Sequence, residues 1–168
     1  VSPDVAVDAY SGVGTFAVML AESVPRVIAI EESASACEDA QVNFMGISNI
    51  DLRIGSVEEM LHDLTPNPDV LIIDPPRAGM RREVIDSLLA STTKRLVYVS
   101  CDPATLSRDL RLLVDGGFTL NEVQPLDMFP HTQHIECVST LDRSAVPERR
   151  APESATAEQD STESDGDE

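Results

Sequence analysis

The sequence predicts an α/β domain built on a doubly wound, mostly parallel seven-stranded sheet that ends in an antiparallel hairpin. Three observations carry that expectation. Strand-like and helix-like segments alternate through residues 1–143, as successive β-α-β crossovers require. Several strand-like runs, Val70-Leu71-Ile72-Ile73 among them, are continuously apolar, the pattern of a parallel strand buried on both faces. The last two strand-like runs follow each other without a helix between them, which fits a hairpin at one sheet edge.

Taken in order, Val5–Ala9 is an apolar run of strand length, and Thr15–Glu22 is the helix after the turn at Gly12 and Gly14. Arg26–Glu31 and Ser35–Met45 repeat the unit, followed by a short strand, Leu52–Ile54, and a short helix, Val57–Asp63. The fourth strand is Asp69–Asp74, where Pro75 and Pro76 stiffen the loop that leads to a helix over Arg81–Ala90. Arg95–Ser100 runs into the helix Pro103–Asp115. Asp102 is suited to cap that helix and Pro103 to open it, since proline has no N–H to lose there. Phe118–Leu126 and His134–Leu141 close the domain. From Ser144 onward the chain is Ser, Thr, Glu, Asp, Ala and Pro without a hydrophobic period, so residues 144–168 read as a disordered acidic tail.

At 168 residues and 42% hydrophobic content the chain is long enough for one domain with its own core. It begins at Val1 rather than Met, as a fragment or processed chain would. The longest apolar runs are of strand length and nothing resembles a secretory signal, so no membrane span is expected. Three cysteines without a CxxC pair argue against a disulfide framework and for a reduced, cytoplasmic setting. A formal net charge of -18 argues against a freestanding electrostatic nucleic-acid binder. An RNA partner would need a basic surface from elsewhere in the full protein, or a local patch.

Open α/β sheets bind ligands at the carboxyl ends of their strands, near the point where strand order reverses. Four segments place unusual residues there. In Asp8-Ala9-Tyr10-Ser11-Gly12-Val13-Gly14-Thr15-Phe16-Ala17 the glycines permit a tight turn and close backbone approach of a ligand. Such a turn also fits a nicotinamide dinucleotide fold. Asp8 is a poor neighbour for a pyrophosphate and a good one for the amino-acid end of S-adenosylmethionine. Glu31, ending the second apolar run, is placed to accept hydrogen bonds from both ribose hydroxyls of an adenosine. Asp74, in Asp74-Pro75-Pro76-Arg77-Ala78-Gly79, sits on a rigid loop fit to orient a planar substrate or cofactor.

The fourth segment carries Cys101. A helix begins directly after it, so the positive end of the helix dipole favours a thiolate, and Cys101 is a candidate nucleophile. A buried, inert thiol fits the local sequence equally well. Glu136 is a carboxylate in a mostly apolar strand, costly unless paired or catalytic. Cys137 reads as a core residue. His131, His134 and Cys137 lack a fourth ligand, and a strand from His134 would turn His134 and Cys137 to opposite faces, so no metal is expected.

Together these segments resemble the RNA uracil-5-methyltransferase family, whose members make 5-methyluridine in transfer and ribosomal RNA. The resemblance spans about residues 4–143. It rests chiefly on Asp74-Pro75-Pro76-Arg77-Ala78-Gly79, on Val99-Ser100-Cys101-Asp102-Pro103-Ala104-Thr105-Leu106-Ser107-Arg108-Asp109 and on His131-Thr132-Gln133-His134-Ile135-Glu136. It implies a Rossmann-like methyltransferase fold over residues 1–143, S-adenosyl-L-methionine as cofactor, Cys101 as nucleophile and Glu136 as base. Tyr10, Thr15, Glu31, Ser56 and Asp74 align with cofactor-contacting positions, beside the turn glycines Gly12 and Gly14. Arg77 and Arg108 become contacts to phosphate or to a developing enolate oxygen, and Ser100 and Thr105 capping or packing residues. Ser11 stands where the family commonly has cysteine. The family also carries an upstream RNA-binding domain, in some members an iron–sulfur cluster, and a cofactor-contacting glutamine before the first strand. The chain therefore reads as the catalytic part of a longer protein.

Read without the resemblance, the residues leave rivals open. One is a methyltransferase for another acceptor, such as RNA cytosine, DNA or a small molecule. Another is a nicotinamide-dependent oxidoreductase, which the glycine turn and Glu31 favour. A third is a non-catalytic cofactor-binding or RNA-interaction module, which leaves the pairing of Cys101 with Glu136 unexplained.

Overall fold

The computed structural model describes residues 3–132 and 134–143, so the expected acidic tail over 144–168 lies outside the described residues. The first strands are as apolar as their sequence: in β1 (Val5–Ala9) and β2 (Arg26–Glu31) almost every side chain is buried, on both faces. Helices α1 (Thr15–Ala21) and α2 (Ala34–Asn43) pack against β1, β2 and β3 (Ile50–Ile54) on one side. The remaining strands are β4 (Val70–Ile73), β5 (Arg95–Ser100), β6 (Phe118–Leu126) and β7 (Glu136–Arg143). They complete a seven-stranded sheet of order β3-β2-β1-β4-β5-β7-β6. Pairing is parallel from β3 through β5 and antiparallel at β7, which lies between β5 and the edge strand β6. The doubly wound sheet with a terminal hairpin is thus the observed fold.

Helices α3 (Val57–Met60), α4 (Arg82–Ala90) and α5 (Pro103–Asp115) follow β3, β4 and β5. Their apolar residues join the main core, where Ile28, Ile30, Leu71, Ile73, Leu96, Tyr98, Leu113 and Phe118 are all closed to solvent. Asp102 caps α5 as the sequence implies, its carboxylate accepting from the N–H of Ala104 (2.9 Å) and Thr105 (3.0 Å), with Pro103 at the helix start.

Several boundaries differ from the sequence reading. β3 begins at Ile50 rather than Leu52, and α3 closes at Met60, well short of Asp63. β4 excludes Asp69, whose carboxylate instead accepts from the N–H of Asp4 (2.9 Å) and Val5 (3.3 Å) and pairs with Lys94 (2.6 Å). β7 starts at Glu136, not His134, and runs on to Arg143. That arginine is held by the carbonyls of Leu88 (2.7 Å) and Thr93 (2.9 Å), with its guanidinium 4.4 Å above the Phe118 ring.

One correction bears on function. The apolar run Val70–Ile73 implied two buried faces, but only Leu71 and Ile73 are fully buried, while Val70 and Ile72 are half-buried. β5 and β7 alternate in the same way. The half-open face belongs to a cavity, so Ile72 and its neighbours on that face line an opening instead of filling a core.

Candidate active site

Strand order reverses between β1 and β4, the place where such sheets bind ligands. β1 ends at Ala9 and the chain turns through Tyr10 (φ 60°), Gly12 (φ 55°) and Gly14 (φ 84°). A side chain at Gly14 would strike the Phe44 ring, which fixes that position as glycine. Tyr10 has no such excuse for its left-handed backbone. Its hydroxyl donates to Glu58 Oε1 (2.9 Å), and burial together with that carboxylate raises its phenol above the usual range. Non-glycine residues held this way concentrate at functional sites.

Glu31 closes β2 with both oxygens engaged, accepting from Gly12 N–H (2.8 Å) and Ser33 N–H (2.7 Å). It therefore shapes the glycine turn directly. Beside it, a cavity of about 320 Å³ is lined by Tyr10, Glu32, Ser56, Pro76 and Arg81. Ser56 also caps α3, its hydroxyl accepting from Glu59 N–H (3.3 Å). Thr15 is exposed at the first turn of α1 and lines neither this cavity nor the larger one.

Asp8 is fully buried on β1. Its Oδ2 accepts from Ala17 N–H (2.8 Å), while Oδ1 has no partner, as is also true of the buried hydroxyl of Ser11. Burial pushes the Asp8 carboxyl up to about 7 against the opposing pull of the Ala17 N–H, and the charges of Asp74 and Glu31 add to the rise. The folded chain keeps this proton to about pH 7, whereas the unfolded chain releases it near 3.8, so stability falls as pH rises across that window. Asp8→Asn keeps the acceptor for Ala17 and should remove this loss, worth about 2.6 kcal/mol between pH 5 and pH 8. Denaturant unfolding at pH 5 and pH 8 checks it; an unaltered pH dependence in the variant would contradict the assignment.

The larger cavity, about 600 Å³, opens over the half-buried sheet face. Asp74, Cys101 and Glu136 are its polar groups, set among Phe16, Ile72, Val97, Val99 and Val138. The topology explains their meeting. Parallel β4 and β5 end at the same sheet edge and deliver Asp74 and Cys101. β7 is antiparallel and therefore begins there, and its pairing of Cys137 with Ser100 sets Glu136 beside Cys101. Cys101 is partly exposed; Cys37 and Cys137 are buried, which raises both of their thiols. Asp74 is raised above the ordinary carboxylate range by desolvation and then by the charge of Glu136.

The two arginines of the motifs part company. Arg77 is exposed, lies 3.3 Å from the ring nitrogens of His134, and makes no carboxylate ion pair among the described residues. Arg108 donates to Asp109 Oδ1 (2.8 Å) and to the Ala78 carbonyl (2.9 Å), and its guanidinium stays about half exposed. Ser100 and Thr105 serve local geometry: the Ser100 hydroxyl accepts from Asp102 N–H (3.2 Å), and the Thr105 hydroxyl donates to the Arg77 carbonyl (3.1 Å). Sequence reasoning missed Glu58, which holds Tyr10 and lies 3.6 Å from Arg81, and Asp109, an acid in the apolar stripe of α5. The signal for Asp109 was its place between Leu106 and Leu113 at helical spacing. Among the described residues no group of three His, Cys, Asp or Glu side chains is placed to hold a metal ion.

Comparison with known proteins shows the family and the fold. The chain is 43% identical over 143 residues to an uncharacterized RNA methyltransferase of Oceanobacillus iheyensis, covering 82% of this chain and 31% of that one. It is 47% identical over 141 residues to one of Bacteroides thetaiotaomicron, again covering 31% of the relative. The chain thus spans about a third of the length of the curated relatives it matches. Among solved structures it is similar to the Pyrococcus abyssi tRNA (uracil-54, C5)-methyltransferase in complex with S-adenosyl-L-homocysteine. The TM-score is 0.71 at 34% identity, over 81% of this chain and 33% of that one. A Streptococcus thermophilus rRNA methylase shares the fold, with a TM-score of 0.70 at 21% identity over 86% of this chain and 90% of that one. Residues 3–144 match the tRNA (uracil-5-)-methyltransferase family, and the chain belongs to it.

Proposed function

We propose that residues 1–143 are the catalytic domain of an S-adenosyl-L-methionine-dependent methyltransferase acting on carbon 5 of a uridine in transfer or ribosomal RNA. The observation that carries this reading is the single cavity into which Asp74, Cys101 and Glu136 all open. At about 600 Å³ it lies within the usual range of small-molecule sites, with room for a flipped base.

The residues present fit the cofactor. Two buried oxygens without partners, Asp8 Oδ1 and Ser11 Oγ, mark the glycine turn as incomplete by itself. The carboxyl groups of Asp8, Glu31 and Asp74 gather at the ends of β1, β2 and β4, and a sulfonium or ammonium group bound there would favour their ionised forms. Tyr10, Gly12, Gly14, Glu31, Ser56 and Asp74 would hold the cofactor, with Thr15 at the outer edge of the turn. When bound, it supplies an electrophilic methyl group.

The chain's own residues do the rest. Carbon 5 of uracil is too weak a nucleophile to be methylated unaided. Cys101 Sγ adds to carbon 6, which makes carbon 5 electron-rich toward the methyl donor. With the methyl group transferred to carbon 5 and S-adenosyl-L-homocysteine as the leaving group, Glu136 removes the carbon 5 proton, and Cys101 leaves as the ring double bond re-forms. Arg77, exposed beside His134, is free to meet a backbone phosphate. With a net charge of -18, the chain leaves most RNA affinity to the portion of its relatives' length that it does not span. No helix among the described residues is long and apolar enough to cross a membrane, and a cytoplasmic setting is part of the proposal.

The direct test incubates the full-length protein with unmodified transfer and ribosomal RNA and methyl-labelled cofactor, then digests the RNA for nucleoside mass spectrometry. Label in 5-methyluridine is the expected result. Label in cytidine or in a sugar would assign a different acceptor.

A further inference from the structure

Asp109 takes no part in the chemistry above, yet it occupies a core position. Its side chain is closed to solvent within the apolar stripe that Leu106, Leu110 and Leu113 form on α5. A buried carboxylate is costly unless its oxygens are engaged. Here Oδ2 accepts from Met80 N–H (2.8 Å) and the Tyr98 hydroxyl (2.7 Å), and Oδ1 accepts from Arg108 Nε (2.8 Å). Arg108 extends the contact to the Ala78 carbonyl (2.9 Å), and Thr105 adds its bond to the Arg77 carbonyl (3.1 Å). Gly79 has φ 76°, and a Cβ there would fall 2.5 Å from Asp109 Oδ2 and 2.7 Å from Arg108 Nη2. The backbone of the loop therefore lies directly on the helix, and only glycine fits.

The elements tied together in this way are the ones that deliver the cavity's polar groups. β5 carries Tyr98 and runs out into Cys101; α5 opens at Pro103, directly behind it. The loop after β4 begins with Asp74 and bears Arg77. We propose that Asp109 is a positioning residue, a buried carboxylate that pins the loop 74–81 to α5 and β5. It thereby sets the spacing of Asp74 and Arg77 against Cys101. The catalytic consequence rests on the reading of Cys101 as nucleophile; the pinning itself does not. Misplacement of a catalytic group by an ångström costs about 10²-fold in rate, so a residue outside the cavity can govern turnover.

The test uses the full-length protein with Asp109→Asn, which keeps an acceptor for Met80 but gives up the charge facing Arg108. Tyr98→Phe serves as a milder second variant. Turnover should fall about 10²-fold in Asp109→Asn, with KM for the cofactor moving much less. Amide hydrogen exchange at Gly79 and Met80 should speed up about tenfold as the loop loosens. Tyr98→Phe should show smaller changes in the same order. Leu113→Ala, which loosens α5 from the core without touching the loop, is the control: its melting temperature drops while kcat holds. If Asp109→Asn and Tyr98→Phe match that control, Asp109 is an ordinary core residue and the proposal is overturned. Should Asp109→Asn fail to fold, Tyr98→Phe decides alone by the same comparison of kcat with melting temperature. A Cys101→Ala protein that still turns over would defeat the uridine chemistry, while the exchange at Gly79 and Met80 would still report on the pinning.

Discussion

Replacing Cys101 by alanine should reduce methyl transfer by more than about 10⁴-fold while leaving the affinity for S-adenosyl-L-homocysteine unchanged. The argument is one of place. Cys101 is partly exposed at the end of β5, on the wall of the larger cavity, whereas Tyr10, Ser56 and Glu32 line the smaller one. Losing one partly exposed sulfur should change stability by no more than about 0.5 kcal/mol, so a folded, cofactor-binding and inert protein is expected. Cys101→Ser sharpens the test. A hydroxyl fills nearly the same space but is a far weaker nucleophile at neutral pH, so packing is restored and turnover is not. Calorimetry with S-adenosyl-L-homocysteine and a labelled-methyl assay on RNA measure the two halves. An alanine variant with normal turnover removes the nucleophile from the mechanism.

The alternation of strands and helices was legible because it is local: apolar runs of strand length, a glycine turn and the Asp102-Pro103 helix start each act over a few residues. The cap at Asp102 is an example, where a side chain reaches N–H groups two and three residues ahead. What lay beyond the sequence was coverage. Ile72, Val97 and Val99 read as core because a hydrophobic pattern reports what a face can bury, not whether anything lies over it. β7 could be expected as part of a hairpin, but its seat between β5 and β6 depends on long-range pairing, such as Ser100 with Cys137. That pairing is what brings Glu136 to Cys101, and from the sequence it was accessible only through the resemblance. Arg108 shows a different gap: its bond to Asp109 one residue on depends on a buried carboxylate that the motif alone does not reveal.

Glu136→Gln should trap a covalent RNA–protein adduct. Two carboxylates face Cys101 across one cavity, and the structure gives them different situations. Asp74 precedes two prolines on the loop pinned to α5, at the sheet's switch point beside Asp8 and the glycine turn. Glu136 begins β7, next to the strand end that presents the sulfur. If Glu136 is the base, its amide cannot take the carbon 5 proton, and Cys101 cannot be expelled after methylation. Turnover then falls by about 10²–10⁴-fold, and labelled methyl travels with the protein on a denaturing gel. The double variant Cys101→Ala, Glu136→Gln should give no such band. Removing the Glu136 charge also relieves Asp74, so the Asp74 carboxyl should ionise at lower pH in the variant. Asp74→Asn, by contrast, should weaken cofactor binding and accumulate no adduct. If the adduct forms in Asp74→Asn instead, the base is on the loop after β4, and Glu136 acts on it only through its charge.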